Sequence, residues 1–239
     1  MSIWTSLGEF VARVSISARS GVAGLVEALR TAFEGDPELR RKVAFSVAMI
    51  ALSAKMAKAD GVVTQDEVRA FRKIFHVPPE EAGNVARLFD LATADVAGFE
   101  AYAERLANLC GSGRPNCAML SDILDGLFFI ARADGVLHER EGRFLRRIAE
   151  IFEIDDAHYQ AILARHVEFG AADPYIVLGI ERGGSLEEVR RRYRKLVVEN
   201  HPDRLIGRGL PEEFIAIATT RIAAINAAYE LIEKGLRTA

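Results

Sequence analysis

The chain of 239 residues has two cysteines, one tryptophan and no uncharged run long enough to cross a bilayer. Cys110 and Cys117 are too few for a disulfide framework and are not spaced as a C-x-x-C pair, so a reducing cytoplasm is the expected compartment. The longest uncharged run, residues 43–54, has twelve positions, whereas a spanning helix needs about 20. No Lys or Arg precedes Glu9, and Arg13 and Arg19 interrupt the first apolar stretch, which argues against a secretory signal. Proline is also sparse. Pro37, Pro78, Pro79, Pro115, Pro174, Pro202 and Pro211 all fall between stretches of helical periodicity, where proline is tolerated. Alternating strand patterns bounded by hairpin turns are missing too. The fold class is therefore all-α, and the composition, 50% hydrophobic and 27% charged, is that of a globular chain.

What is present begins with helix-start signals. Asp36-Pro37-Glu38 reads as an N-cap, a proline at the first helical position and an acidic first turn, opening a helix to Ala59. Thr64-x-x-Glu67 and Ser185-x-x-Glu188 match the capping box. Further helices are expected at 79–92, 95–110, 116–133, 138–152, 156–168, 174–178, 186–199 and 212–234. Near the N-terminus, Trp4, Leu7, Phe10, Val11 and Val14 share one face. That face either packs on the domain or gives residues 4–26 a weak peripheral contact with a membrane surface.

An internal repeat divides the larger part of the chain. Ala57-Lys-Ala-Asp-Gly-Val-Val63 returns as Ala131-Arg-Ala-Asp-Gly-Val-Leu137, and the match continues through Glu67/Glu141, Arg69/Arg143, Arg72/Arg146 and Ile74/Ile148. Two copies are too few for an open solenoid and suit one body with pseudo-two-fold symmetry. The organisation expected is an N-terminal amphipathic segment (1–35), a helical domain (36–168), a linker (169–172) and a C-terminal unit (173–239).

The net charge of −3 hides an asymmetry. Residues 1–170 hold 20 basic and 24 acidic side chains, and residues 171–239 hold 11 and 10. Five of those 11 lie within the six positions 190–195. In the C-terminal unit, Asp173-Pro-Tyr-Ile-Val-Leu-Gly-Ile180 leads to a helix striped by Leu186, Val189, Tyr193, Leu196 and Val197. A polar loop, Asn200-His-Pro-Asp-Arg204, follows. The next helix carries Phe214, Ile217, Ile222, Ile225, Tyr229 and Ile232, so the two helices are expected to pair antiparallel.

These residues resemble the J domain of DnaJ-type co-chaperones. The longer string His201-Pro-Asp-Arg-Leu-Ile-Gly-Arg-Gly-Leu-Pro211 with Ile225-Asn-Ala-Ala-Tyr-Glu-Leu-Ile232 resembles the DjlA-like bacterial members, which place a TerB-like helical domain before a terminal J domain. The resemblance covers residues 36–235. It implies recruitment of a DnaK-type chaperone and stimulation of its ATPase, with His201, Pro202 and Asp203 as trigger and Arg190, Tyr193, Arg194 and Lys195 at the docking face. The TerB-like part would serve as an adaptor for a client protein or for localisation. Physical reasoning agrees with that assignment: Arg190 and Arg194 stand i and i+4 on one face, and a cationic stripe suits an acidic partner. Pro202 fixes its own φ and restricts His201.

Two departures from the family pattern are Arg192, where a small residue is common, and Asn200, where an aromatic or His commonly precedes the motif. A Gly/Phe-rich linker, Cys-x-x-Cys zinc modules and the membrane anchor of DjlA itself are not found in the chain. Nucleic-acid binding is not expected, because the unit is near-neutral and lacks a stacking platform.

The repeat also places Asp60 seven residues before Glu67, and Asp134 seven before Glu141. The spacing imitates half of an EF-hand loop, but Met56, Lys58, Ile130 and Arg132 stand where the first oxygen ligands belong. The four acids are therefore candidate divalent-metal ligands in the resemblance and helix-capping residues on local grounds; no other cofactor is indicated. A metal- or stress-responsive module with a degenerate J domain is the alternative reading. Intrinsic catalysis is not expected, since no H-E-x-x-H, phosphate loop or Gly-x-Ser-x-Gly occurs.

Overall fold

A computed structural model describes residues 3–16, 35–60, 71–72, 75–94, 98–108, 115–133, 135–166 and 172–238, and the structural statements below concern these. Their regular structure is entirely helical. In order come α1 (Ile3–Ile16), α2 (Pro37–Asp60), a 3-10 turn (Pro79–Glu81) leading into α3 (Ala82–Ala94), α4 (Phe99–Ala107), α5 (Ala118–Ala131), α6 (Glu139–Ile151) and α7 (Asp156–Arg165). The C-terminal unit follows with α8 (Pro174–Leu178), α9 (Leu186–Glu199), α10 (Pro202–Arg208), and a 3-10 turn (Glu212–Phe214) leading into α11 (Ile215–Thr238).

The uncharged run of residues 43–54 forms the centre of α2, and every residue of it is buried. A helix that is apolar on all sides needs neighbours on all sides. Here α1, α3, α4, α5 and α6 supply them. Two hydroxyls inside the run, Ser46 and Ser53, donate to the carbonyls of Lys42 and Met49 four residues back, which satisfies them without an external partner. At the start of α2 the Asp36 side chain accepts from the Leu39 N–H at 2.9 Å, as the Asp-Pro-Glu signal requires. The first helices of the two repeat copies, α2 and α5, pack directly against each other.

On α1 the apolar face is turned inward. Trp4, Leu7, Phe10 and Val11 are all buried, and the helix packs on α2 and α3. The described part of the segment thus puts into the core the side chains that a membrane would need. Residues 17–34 lie outside the described residues, as do Thr64, Glu67 and Cys110. Cys117 is half-buried and disulfide-bonded, a pairing the cysteine count did not anticipate.

Two apolar cores are present, and they do not divide where the sequence suggests. Val177, Leu178, Val189, Leu196, Ile225, Ala228 and Ile232 form the core of the C-terminal unit. Leu205, Leu210, Phe214, Ile217 and Ala218, from the same unit, belong instead to the core of the larger body. Phe214 lies 4.4 Å from the ring of Phe75, 5.3 Å from Phe45 and 5.7 Å from Trp4, so it closes an aromatic cluster built on the body. The single stripe expected on the last helix therefore serves two cores. Length explains this. At about 1.5 Å per residue, the 24 residues of α11 span about 36 Å and the 14 of α9 about 21 Å, so α11 overhangs its partner. The overhang is apolar and lies on α5.

Truncation of Phe214 to alanine should lower stability by about 3–5 kcal/mol, the range for a fully buried aromatic. Urea denaturation followed by circular dichroism checks this; a loss below about 1 kcal/mol, far under that range, would mean the ring is not part of the body core.

Candidate functional site

The helix that carries the basic run is set by its own ends. Ser185 accepts from the Glu188 N–H at 3.3 Å, and Glu188 accepts from the Ser185 N–H at 2.8 Å, which is the capping box the spacing indicated. The Ser185 N–H first, and then its hydroxyl, hold the Glu188 carboxyl below its ordinary range. At the other end Asn200 donates to the Leu196 carbonyl at 2.7 Å and is buried.

The basic residues of α9 divide by role. Arg191, Arg194 and Lys195 are exposed. Arg190 is held against α11, donating to Glu233 at 3.0 Å and to the Tyr229 hydroxyl at 3.4 Å. Those contacts, the Tyr229 hydrogen bond foremost, raise its pKa. Tyr193 stacks on Tyr229 with centroids 4.2 Å apart and donates to Asn226 at 3.1 Å. Both side chains therefore fasten α9 to α11, while Arg191, Arg194 and Lys195 face solvent, Lys195 with Glu199 3.9 Å away. Arg192, the first departure from the family pattern, donates from Nε to the Leu178 carbonyl at 2.8 Å and so satisfies the end of α8.

The His-Pro-Asp segment is not a loop throughout. Pro202 opens α10, where its fixed φ and missing N–H fit the first helical position. His201 is the N-cap, and its Nδ1 accepts from the Asp203 N–H at 3.3 Å. Nδ1 is thereby an acceptor, which leaves the proton of the neutral ring on Nε2. The His201 side chain is 56% exposed and that of Asp203 89% exposed. Short helices of this kind, only seven residues, are hard to read from periodicity, and the Pro202 signal was the available clue. Gly209 ends α10 at φ +110°, a conformation suited to glycine, and a Cβ there would come within 2.8 Å of Arg41 Cβ on α2.

Behind this segment lies a charge cluster that sequence reasoning missed. Asp122 and Asp125 sit on α5 among apolar neighbours, and Arg221 of α11 reaches both. Its Nη1 donates to Asp122 at 2.7 Å and to Asn200 Oδ1 at 3.0 Å; its Nε donates to Asp125 at 2.8 Å. The side chains of Arg221 and Asp125 are only 4% and 1% exposed. His166 lies 3.1 Å from Asp125, and Arg165 3.9 Å. Burial pushes the Asp125 carboxyl up, but Arg221, His166 and Arg165 together overcome that and hold it well below the usual carboxylate range. For Arg221, likewise, burial is outweighed by the two aspartates, which raise its pKa. Asn200, the second departure, is the link between this cluster and the residue that begins the His-Pro-Asp turn. Two acids three positions apart in an otherwise apolar helix were the signal available in sequence.

Of the four repeat acids, Glu141 alone has a described side chain; it accepts from the His138 N–H at 2.9 Å, at the start of α6. Asp60, Glu67 and Asp134 fall outside the described side chains. No cluster of metal-binding side chains occurs among the described residues.

Comparison with known families gives two matches. The model of tellurite resistance protein TerB covers residues 46–164, and that of the DnaJ domain covers residues 173–236. Among curated relatives, the co-chaperone protein DjlA of Photobacterium profundum is 32% identical over 226 residues, 81% of this chain and 78% of that protein. The chain belongs to the DjlA co-chaperone family. DjlA of Vibrio vulnificus is 27% identical over 236 residues, 84% of this chain and 81% of that protein. DjlA of Vibrio cholerae is 48% identical over 68 residues, 28% of this chain and 24% of that protein. No solved structure matches. For this DjlA-family chain the comparisons and the helical structure agree with the resemblance read from the C-terminal motif and the Ala-x-Ala-Asp-Gly repeat.

The depressed pKa of Asp125 makes stability pH-dependent with a fixed sign. Between its folded value and the unfolded value of about 4, the unfolded chain takes up a proton and the folded chain does not. The Asp125 contribution is complete above about pH 4 and is lost as pH falls towards the folded value. Urea midpoints should therefore drop more steeply below pH 4 in wild type than in Asp125→Asn. At neutral pH the variant, which takes from the buried Arg221 one of its two carboxylates and leaves only Asp122, should lose about 3–5 kcal/mol. Parallel acid titrations of the two proteins would contradict this.

Proposed function

We propose that this DnaJ-type co-chaperone recruits a DnaK-type chaperone and stimulates its ATP hydrolysis through His201, Pro202 and Asp203. The observation that carries the reading is the exposed His201–Asp203 pair on a proline-initiated helix start, next to a capped helix bearing exposed Arg194 and Lys195. Asp203 can accept a bidentate bond from a partner arginine. Arg194 and Lys195 orient an acidic partner and speed the encounter, so docking weakens with salt. Arg190 and Tyr193 act one step back, by holding the helix that presents those charges. The TerB-like body is proposed to hold a client or a localisation partner and bring it to the recruited chaperone. The metal-responsive reading draws no support from Glu141, whose carboxylate is engaged at a helix start.

A single-turnover ATPase assay with the cognate DnaK-type chaperone tests the reading. Wild type should accelerate hydrolysis, and His201→Gln should abolish the acceleration while keeping its circular dichroism spectrum. Equal stimulation by the variant, or none by wild type, overturns the mechanism. Arg194→Ala with Lys195→Ala should raise the half-saturating concentration several-fold, since exposed pairs contribute up to about 1 kcal/mol each. It should also flatten the salt dependence. An unchanged salt slope would remove these two residues from the docking face.

A further inference from the structure

Between the body and the C-terminal unit lies a cleft of about 490 Å³. Helices α5 and α7 supply one side, with Ser121, Asp122, His158 and Arg165; the other carries Arg192, Asn200, Arg204, Arg208 and Arg221. Its charges do not balance. Five arginines line it, against two acids, Asp122 and Glu199. Arg221 is satisfied by Asp122 and Asp125. Asp122 must also serve Arg208 Nη2, at the longer distances of 3.3 and 3.5 Å. Arg165 reaches only the far side of Asp125, at 3.9 Å.

The unmet hydrogen-bonding capacity is concentrated here. Arg165 Nε, Arg208 Nε and Ser121 Oγ are buried and have no hydrogen-bond partner among the described residues. The Arg165 side chain is only 7% exposed. A buried guanidinium with an unused donor is costly unless something in the cavity accepts from it. Burial, only partly offset by Asp125, draws the Arg165 pKa down to about 10, which is the response of a cation with too little negative charge around it. Burial, and then Arg165, hold the His158 pKa below its ordinary value.

We infer that this cleft binds a small-molecule oxyanion, specifically a phosphoryl group, with Arg165, Arg204 and Arg208 as its principal partners. Arginine forks suit phosphate oxygens bidentately. The donors come from helix α7 on one side and α10 on the other, so they can surround several oxygens, whereas a planar carboxylate has two. Both units contribute, so an occupant bridges them, and since Asn200 and Arg204 flank the His201–Asp203 trigger the site lies beside it. The inference does not depend on the co-chaperone reading, and its test contains no partner chaperone.

The test is isothermal titration of the full chain at low ionic strength with pyrophosphate, inorganic phosphate and citrate in separate runs. Pyrophosphate should bind saturably with one site per chain, more tightly than citrate, and should raise the Tm with concentration by linkage. Arg208→Gln and the exposed Arg204→Gln should each weaken binding about tenfold, the loss of one charge-assisted pair at about 1.4 kcal/mol. Arg140→Gln, on an exposed part of α6, should leave it unchanged. Arg165→Gln is the harsher variant and is interpreted only together with the other two. Absence of saturable binding overturns the site. So does equal affinity in Arg204→Gln and Arg208→Gln. Tighter binding of citrate than of pyrophosphate overturns the phosphoryl assignment.

Discussion

The arrangement of this protein depends on one buried contact: Arg221 of the last helix held between Asp122 and Asp125 of the body. Three ionised groups out of water are costly, and each is tolerable only because the others are within hydrogen-bond distance. Such a contact carries directional demands that an apolar one lacks. Sliding α11 along α5 by a turn would strip the Arg221 guanidinium of both its carboxylates in a site closed to solvent and leave Asp125 with only His166 and Arg165. The Phe214 ring, seven positions earlier on the same segment, adds shape to that demand by filling a gap among Trp4, Phe45 and Phe75. Charge and packing therefore fix the same element in the same register.

The consequence for function is that the J unit is braced on the TerB-like body rather than tethered to it. Asn200 joins the Arg221 cluster by one hydrogen bond and stands directly before His201. The trigger is thus one residue removed from a buried, over-determined contact, yet His201 and Asp203 themselves remain open to a partner. The proline adds local rigidity by starting a helix. A site that must meet a larger ATPase in one orientation gains from such preorganisation, since less freedom is lost on docking.

Much of this was legible in the sequence, for identifiable reasons. Capping chemistry is local, so Asp36 and the Ser185/Glu188 box could be read from three or four neighbouring residues. The His-Pro-Asp motif with its flanking helices carried the family. The twelve uncharged residues of α2 stood out in the sequence, though that they form the central helix of the body required knowing what surrounds them. What escaped was long-range or short. Arg221 lies 96 residues from Asp125, and nothing local marks the pairing. Phe214 and Ile225 share a stripe, yet they enter different cores because α11 is longer than the helix it pairs with. The seven residues of α10 give too few turns for periodicity. Arg192 and Asn200 looked like departures from the family pattern, and each proves to satisfy a helix-end carbonyl.

The central claim is that the J unit and the body form one mechanical piece through Arg221. Native-state hydrogen exchange of the full chain tests it most directly. The account predicts that amides of residues 217–225 in α11 exchange only through openings that also expose α5, with free energies close to the global value. Exchange of those amides through a separate, low-energy opening, while α5 stays protected, would contradict it.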